Sequence, residues 1–228
     1  MDTHRLTELE SLLRFGALDQ RKAALDELAQ CPADLALPIL QRLAVDQDFL
    51  CRRLAVMGLG NHRTATSLQI LKDLLQRESD DNVLAEIANS LFEFGDESVP
   101  LLQQLFERDR NWLTRQTILS ILMEANQDDV LLAVIRQALQ DETQTVKETG
   151  ILALGSLLKG NLQQQALDLL SELAQANDWR DRWRSATALS LSSDPRAKLL
   201  LAKLQQDENH YVVAAALEGS LPKEETGD

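Results

Sequence analysis

Apolar and small residues return along the chain in blocks resembling A-A-x-A-L, at nearly constant spacing. The copies start at Gln20-Arg21, Cys51-Arg52, Val83-Leu84, Thr114-Arg115, Val146-Lys147, Trp183-Arg184 and Val212-Val213, with intervals of 31, 32, 31, 32, 37 and 29 residues. From Val146 the pattern falls at offsets 0, 4, 5, 7 and 8 (Val146, Gly150, Ile151, Ala153, Leu154), which is one face of a 3.6-residue helix. A second amphipathic segment precedes each copy from the second onward: Leu35 to Leu43, Leu68 to Leu75, Val99 to Phe106, Val130 to Leu139, Leu162 to Leu173 and Ala197 to Leu204. Each unit is therefore predicted to be a helical hairpin. Seven such units of about 32 residues predict an all-α solenoid, whose neighbours bury one another's faces without a common centre. The array is expected to fill residues 1–221, followed by an acidic, disordered tail at 222–228. No stretch remains for a separate catalytic domain.

Turn residues refine the hairpins. Pro38 and Pro100 fall near the starts of first helices, where a missing N–H costs little, and Pro195 marks the entry to the last. Gly60 and Gly155 close two second helices and are predicted to be left-handed caps. The 37-residue interval places a longer turn around Leu158 to Gln165.

Charge recurs with the same period. An acid stands five residues before most block starts (Asp46, Glu78, Asp109, Asp141, Asp178, Asp207), and a cation one residue after the start (Arg21, Arg52, Arg115, Lys147, Arg184). An acid in the turn within reach of a cation in its own or the adjacent hairpin predicts a structural ladder of charge-assisted hydrogen bonds. A row of acids serving metal or catalysis fits less well, because each has a cation beside it.

Composition narrows the function. Aromatics are 4% of residues, so the helices must pack through aliphatic ridges. The net charge of −13 opposes nucleic acid and anionic membrane as partners. No 18-residue apolar run and no basic-then-apolar leader appears, and two isolated cysteines, Cys31 and Cys51, do not form a disulfide framework. A cytoplasmic protein without membrane insertion is expected. His4, His62 and His210 lie in different units, and no metal, phosphate-loop or nucleophile motif is present. Asp80-Asp81 and Asp128-Asp129 read as helix starts favoured by the helix dipole. The chain is therefore expected to be non-enzymatic, with no metal and no cofactor.

The block in its turn context, an acid followed by four residues and V-R-x-x-A-A-x-A-L-G, resembles the HEAT repeat, in particular the short bacterial phycobilisome-lyase-type repeat. Cys51 to Gly60 carries the resemblance nearly throughout, Val146 to Gly155 with Lys147 for Arg, and Trp183 to Ser192 with a bulky first residue; it extends over residues 5 to 221. It implies an α-solenoid. It also implies kinship with cyanobacterial bilin lyase subunits and chaperone-like relatives that act on phycobiliproteins of the phycobilisome. Under that implication a phycobiliprotein is the partner, the chain is an accessory subunit of a bilin lyase, and Arg180, Arg182 and Arg184 pair with the propionates of an open-chain tetrapyrrole.

The residues themselves favour an adaptor that recognises a partner protein. Offsets 2, 3 and 6 of the second helices should line the concave face of the array. Its candidate contacts are Arg53, Met57, Glu86, Asn89, Gln116, Ser120, Leu152 and Leu189. A weakly charged groove of this kind suits a helix or an extended peptide. A second candidate is the aromatic and basic patch of Trp112, Trp179, Arg180 and Arg182, since amphipathic aromatics and arginine anchor protein partners. Trp183 reads as a core residue of its unit.

Overall fold

The computed structural model describes residues 2–219, so the predicted tail at 222–228 lies outside the described residues. Fourteen α-helices form seven hairpins among them, with no strand. They are α1 (Thr3–Phe15) with α2 (Leu18–Ala29), α3 (Ala33–Leu43) with α4 (Phe49–Asn61), α5 (Ala65–Leu75) with α6 (Asp81–Phe92), and α7 (Val99–Arg108) with α8 (Trp112–Glu124). Next come α9 (Asp128–Ala138) with α10 (Gln144–Ala153), α11 (Gln163–Leu173) with α12 (Trp179–Leu189), and α13 (Pro195–Leu204) with α14 (His210–Glu218). The fold is an all-α solenoid. Contacts divide it into two compact units that meet in sequence between Ile121 and Leu122.

The hairpins form where the aliphatic pattern places them. Five of the second helices, α4, α6, α8, α10 and α14, carry a buried residue in their first turn, here called the slot: Cys51, Val83, Thr114, Val146 and Val212. Four places on sit Ala55, Ile87, Ile118, Gly150 and Ala216, all buried. Burying one such aliphatic side chain contributes about 1.5–3 kcal/mol. The turn acids set each helix start. The carboxylates of Asp46, Glu78, Asp109, Asp141 and Asp207 accept the backbone N–H two residues on. That places Asp48, Asp80, Asn111 and Asn209 to cap the helices that follow, each accepting a second backbone N–H.

The sixth hairpin corrects the register read from the sequence. Arg52 Nη1 donates to the carbonyls of Asp46 (2.9 Å) and Gln47 (3.1 Å). Arg182, not Arg184, repeats this, donating to Ala176 (2.9 Å) and Asn177 (3.0 Å). The slot of this hairpin is therefore Asp181, and Trp183 lies two places beyond it rather than in the core. The intervals around it become 35 and 31 residues. The surplus sits in the 3₁₀ turn Ser156–Lys159 and the residues up to Leu162, at the edge of the predicted segment.

Three turn expectations also change. Gly60 and Gly155 are not left-handed, since Gly95 is the one glycine with positive φ (71°) among the described residues. They are contact points between successive second helices. A Cβ on Gly60 would lie 3.0 Å from Ser90 Cβ, and one on Gly155 would lie 2.8 Å from Leu191 Cδ1 and 3.5 Å from Ala188 Cα. Pro38 lies inside α3, because the helix already starts at Ala33; its missing donor falls on an exposed surface. His62 is not a freely solvated turn residue, since its Nε2 lies 3.1 Å from the Leu28 carbonyl of the preceding hairpin.

Candidate functional site

The charge ladder occupies the turn edge of each unit. In residues 2–121, Arg14 pairs with Asp46 (2.8 Å), Arg21 with Asp48 (2.7 Å) and Arg52 with Glu78 (2.9 Å). Burial pushes the Glu78 carboxyl up, but Arg52 and the N–H groups of Ser79 and Asp80 outweigh it and hold it below the usual range. Arg21 does the same for Asp48. Arg115 donates to the carbonyls of Phe106 (2.6 Å) and Asp109 (3.3 Å). In residues 122–219, Arg182 grips Asp207 with two bonds (2.7 and 3.0 Å), which lowers the Asp207 carboxyl and raises the guanidinium. These groups bind one another across hairpins or, at Arg115, the turn of their own hairpin, so the ladder is structural.

One rung is displaced. Ala176 stands where the other turns carry their acid, and Lys147 reaches into the slot itself to Asp181 (2.5 Å). Asp181 is 3% exposed, and its Oδ1 has no hydrogen-bond partner.

The predicted contact row divides once the slot is fixed. In the first unit, Arg53 and Asn89 are exposed, Met57 and Gln116 half-buried, and Ser120 exposed. Glu86 is buried and pairs with Arg53 at 3.0 Å, so it orients Arg53 instead of meeting a partner. In the second unit, Leu152 is half-buried on α10. Leu189 is fully buried, because it is eight places after its slot, as Leu59 is after Cys51. Counted from the slot, the residues of α12 at the predicted contact places are Trp183, Arg184 and Thr187, all half-buried. Arg184 meets Glu148 at 2.9 Å, the same cross-hairpin relation as Arg53 with Glu86 but with the signs reversed.

The aromatic patch is reorganised as well. Trp112 is exposed on α8 in the first unit. In the second unit Trp179 stacks on Tyr211 (centroids 5.4 Å apart, 23° between planes) and on Trp183 (5.9 Å, 28°). Arg180 lies 4.8 Å over Trp179, and Arg184 lies 3.8 Å over Trp183. His210 flanks Tyr211 at 4.1 Å. Arg182, expected in this patch, is instead buried and committed to Asp207. The chain holds three tryptophans and one tyrosine, and three of these four side chains form this single ladder. Tyr211 is 51% exposed and Arg180 is exposed. The sequence reading missed the ladder because Trp183 was assigned to the core; the repeated bonding of Arg52 and Arg182 gives the register that exposes it.

No group of three or more His, Cys, Asp or Glu side chains that could hold a metal ion occurs among the described residues. No helix among them is long and apolar enough to cross a membrane.

HEAT repeats match residues 9–92, 74–155, 99–190 and 132–221, which together span most of the chain. The chain belongs to the HEAT-repeat family. No curated protein matches its sequence. Among solved structures, this HEAT-repeat protein is similar to the complex of CpcE and CpcF of phycocyanin lyase from Nostoc sp. PCC7120, at a TM-score of 0.50 and 15% identity, over 95% of this chain and 94% of that one. It is also similar to an archaeal HEAT-like repeats protein from Thermococcus onnurineus NA1, at a TM-score of 0.53 and 16% identity, over 94% and 95% of the two chains. An engineered protein matches at a TM-score of 0.54 and 17% identity, over 96% of this chain and 67% of that one. At these identities the likeness is one of fold.

Proposed function

We propose that this HEAT-repeat chain is a protein-binding scaffold that works without catalytic residues of its own. It takes its partner on the second helices, with α12 of the second unit as the anchor. The observation that carries this reading is the ladder of Trp179, Trp183 and Tyr211 with Arg180 and Arg184 over its rings. Trp, Tyr and Arg are the side chains that anchor protein interfaces, because they bury large area around a polar tip. The ladder is held in place by stacking and by the Arg184–Glu148 pair, so little side-chain freedom is lost when a partner covers it. In the first unit Arg53, Met57, Asn89, Gln116 and Ser120 extend the same kind of surface. The test is a capture experiment with three proteins: wild type, Trp183→Ala/Tyr211→Ala, and a triple variant at Met57, Asn89 and Gln116. A partner retained by wild type should be lost from the first variant. Retention of that partner by both variants would place its site elsewhere.

A second reading is favoured by the phycocyanin lyase likeness together with exposed rings beside cations. On it, the chain is an accessory subunit of a bilin lyase or a chaperone of phycobiliproteins, and Arg180 and Arg184 meet pigment carboxylates. Arg182 no longer belongs to that set, because Asp207 holds it. Mixing the purified protein with phycocyanobilin distinguishes the two readings. A shifted and intensified red absorbance that Arg184→Ala weakens supports the second, and an unchanged spectrum removes it.

A further inference from the structure

Two adjacent residues of α10 fix how α12 is rotated. Lys147 reaches Asp181 (2.5 Å) and Glu148 reaches Arg184 (2.9 Å). Asp181 and Arg184 are three residues apart, so they are neighbours on one face of α12. Glu148 is itself restrained, because its Oε1 accepts from Gln144 Nε2 (3.1 Å) while its Oε2 accepts from Arg184 Nε. Arg184 in turn lies 3.8 Å over the Trp183 ring. Trp183 lies 5.9 Å from Trp179 and 6.2 Å from Tyr211 of α14. Gln144, Glu148, Arg184 and the three rings therefore form one continuous chain of contacts through the fifth, sixth and seventh hairpins.

The first unit holds the same contact without an aromatic neighbour. There Arg53 of α4 supplies the cation and Glu86 of α6 the acid, 3.0 Å apart. Counted from the slot these are the second and third places, the two that Glu148 and Arg184 hold. The place that Trp183 takes in α12 is filled in α6 by the buried Ala85. An ion pair of either sign joins two helices at these places, but one sign alone sets a cation beside Trp183. The face of an indole carries negative charge density, so it attracts a guanidinium and repels a carboxylate. With the sign of the first unit, position 184 would hold an acid, and a carboxylate would stand where the guanidinium now covers the ring.

We propose that Glu148, held by Gln144, is a positioning residue of the aromatic anchor: the polarity of its pair with Arg184 delivers a cation to Trp183 and sets the angle of that ring in the stack. This rests on the reading of the stack as the partner's anchor, and it adds α10, which carries no ring, to that site. Two indoles 5.9 Å apart couple their electronic transitions, which gives a two-signed circular-dichroism band whose size follows the angle between the rings. The test compares this band in the full chain and in variants, with melting followed on the helical signal. Trp179→Phe should abolish the band and so assign it. Glu148→Ala should reduce it in a chain that keeps its helical signal. Glu148→Gln retains an oxygen that can accept from Arg184 Nε, and should keep most of the band. Glu148→Arg/Arg184→Glu recreates the polarity of Arg53 with Glu86, so it should regain the melting point lost in Glu148→Ala while the band stays reduced. A purely structural pair would shift melting and leave the band of the folded chain alone. An undiminished band in Glu148→Ala, or its full return in the charge-swapped variant, would overturn the proposal. The capture experiment reads the other question. A partner held equally by wild type and by a Glu148→Ala chain with a reduced band would count against the stack as anchor, and not against the positioning of its rings by Glu148.

Discussion

Two cations two residues apart, Arg182 and Arg184, compete for one structural role, and their replacement by glutamine separates them. Arg182 makes two bonds to Asp207 (2.7 and 3.0 Å) and two to the carbonyls of Ala176 and Asn177. The side chains of this pair are 11% and 8% exposed. Arg182→Gln leaves the Asp207 carboxylate nearly buried with only the Asn209 N–H to satisfy it. Breaking a buried pair from one side costs about 3–5 kcal/mol, and the residual exposure points to the lower end, about 3 kcal/mol. Arg184 makes one bond to Glu148 and covers the Trp183 ring, with a quarter of its side chain in solvent. Its loss should cost about 1 kcal/mol. Urea titrations and thermal melts, both followed by circular dichroism at 222 nm, measure both. For a chain of this size the melting point should fall by about 6–12 °C for Arg182→Gln against about 2–4 °C for Arg184→Gln. Asp207→Asn should resemble Arg182→Gln, and the double variant should fall well short of the sum, since the two residues form one interaction. An Arg184→Gln variant as unstable as Arg182→Gln would restore the 37- and 29-residue spacing and refute the register argued from the structure.

Further outcomes follow from the same geometry. Asp48, Glu78 and Asp207 titrate below their unfolded values in the folded chain. Their stabilisation is therefore complete above about pH 5 and is lost as pH falls below about 4 toward their lowered folded values. Asp81, raised by burial and by Asp109 and Asp80, works in the opposite sense but is a single group. The urea midpoint should stay level from neutral pH to about 5 and then drop, with a shallower drop in Asp207→Asn. Cys51 and Cys31 are buried, and burial pushes the Cys51 thiol up to about 11. A thiol reagent at about pH 8 should label neither in the folded chain and both in urea; rapid labelling of Cys51 without denaturant would contradict its placement in the slot. Lys147→Met strands the Asp181 carboxylate and should cost about 3 kcal/mol, while Lys147→Met/Asp181→Val should match wild type or exceed it. A double variant as unstable as the single one would show that the pair is not an isolated substitute for an apolar contact.

The hairpins were legible because aliphatic periodicity is local. The segments Leu68 to Leu75 and Val99 to Phe106 fall within α5 and α7, and the turn acids proved to be the residues that set helix starts. The ladder was legible for a similar reason, since a cation and an acid at fixed offsets recur whatever the intervening residues are. The glycines were misread because a small residue at a helix end fits two roles equally well. Gly60 and Gly155 differ from true caps only through residues some 30 positions away, Ser90 and Ala188, which no local window contains.

The sixth hairpin failed for a more instructive reason. Hydrophobicity selects Trp183 over Asp181 as the slot residue, because an acid in a core position is disfavoured unless it is paired. The pairing comes from Lys147, 34 residues earlier, and the matching turn position has lost its own acid to Ala176. Placing Asp181 in the slot forgoes the roughly 1.5–3 kcal/mol that a Val or Leu there would contribute, and it leaves Oδ1 without a partner. The same placement moves Trp183 two positions along the helix, out of the core and onto the place that Glu148 holds in α10. There it completes a stack with Trp179 and Tyr211 that a core tryptophan could not join. Foldable sequences keep local and global preferences in agreement and depart from that agreement at functional sites. Here the departure in the core and the aromatic ladder on the surface are two consequences of one register, and the proposed anchor on α12 rests on that register.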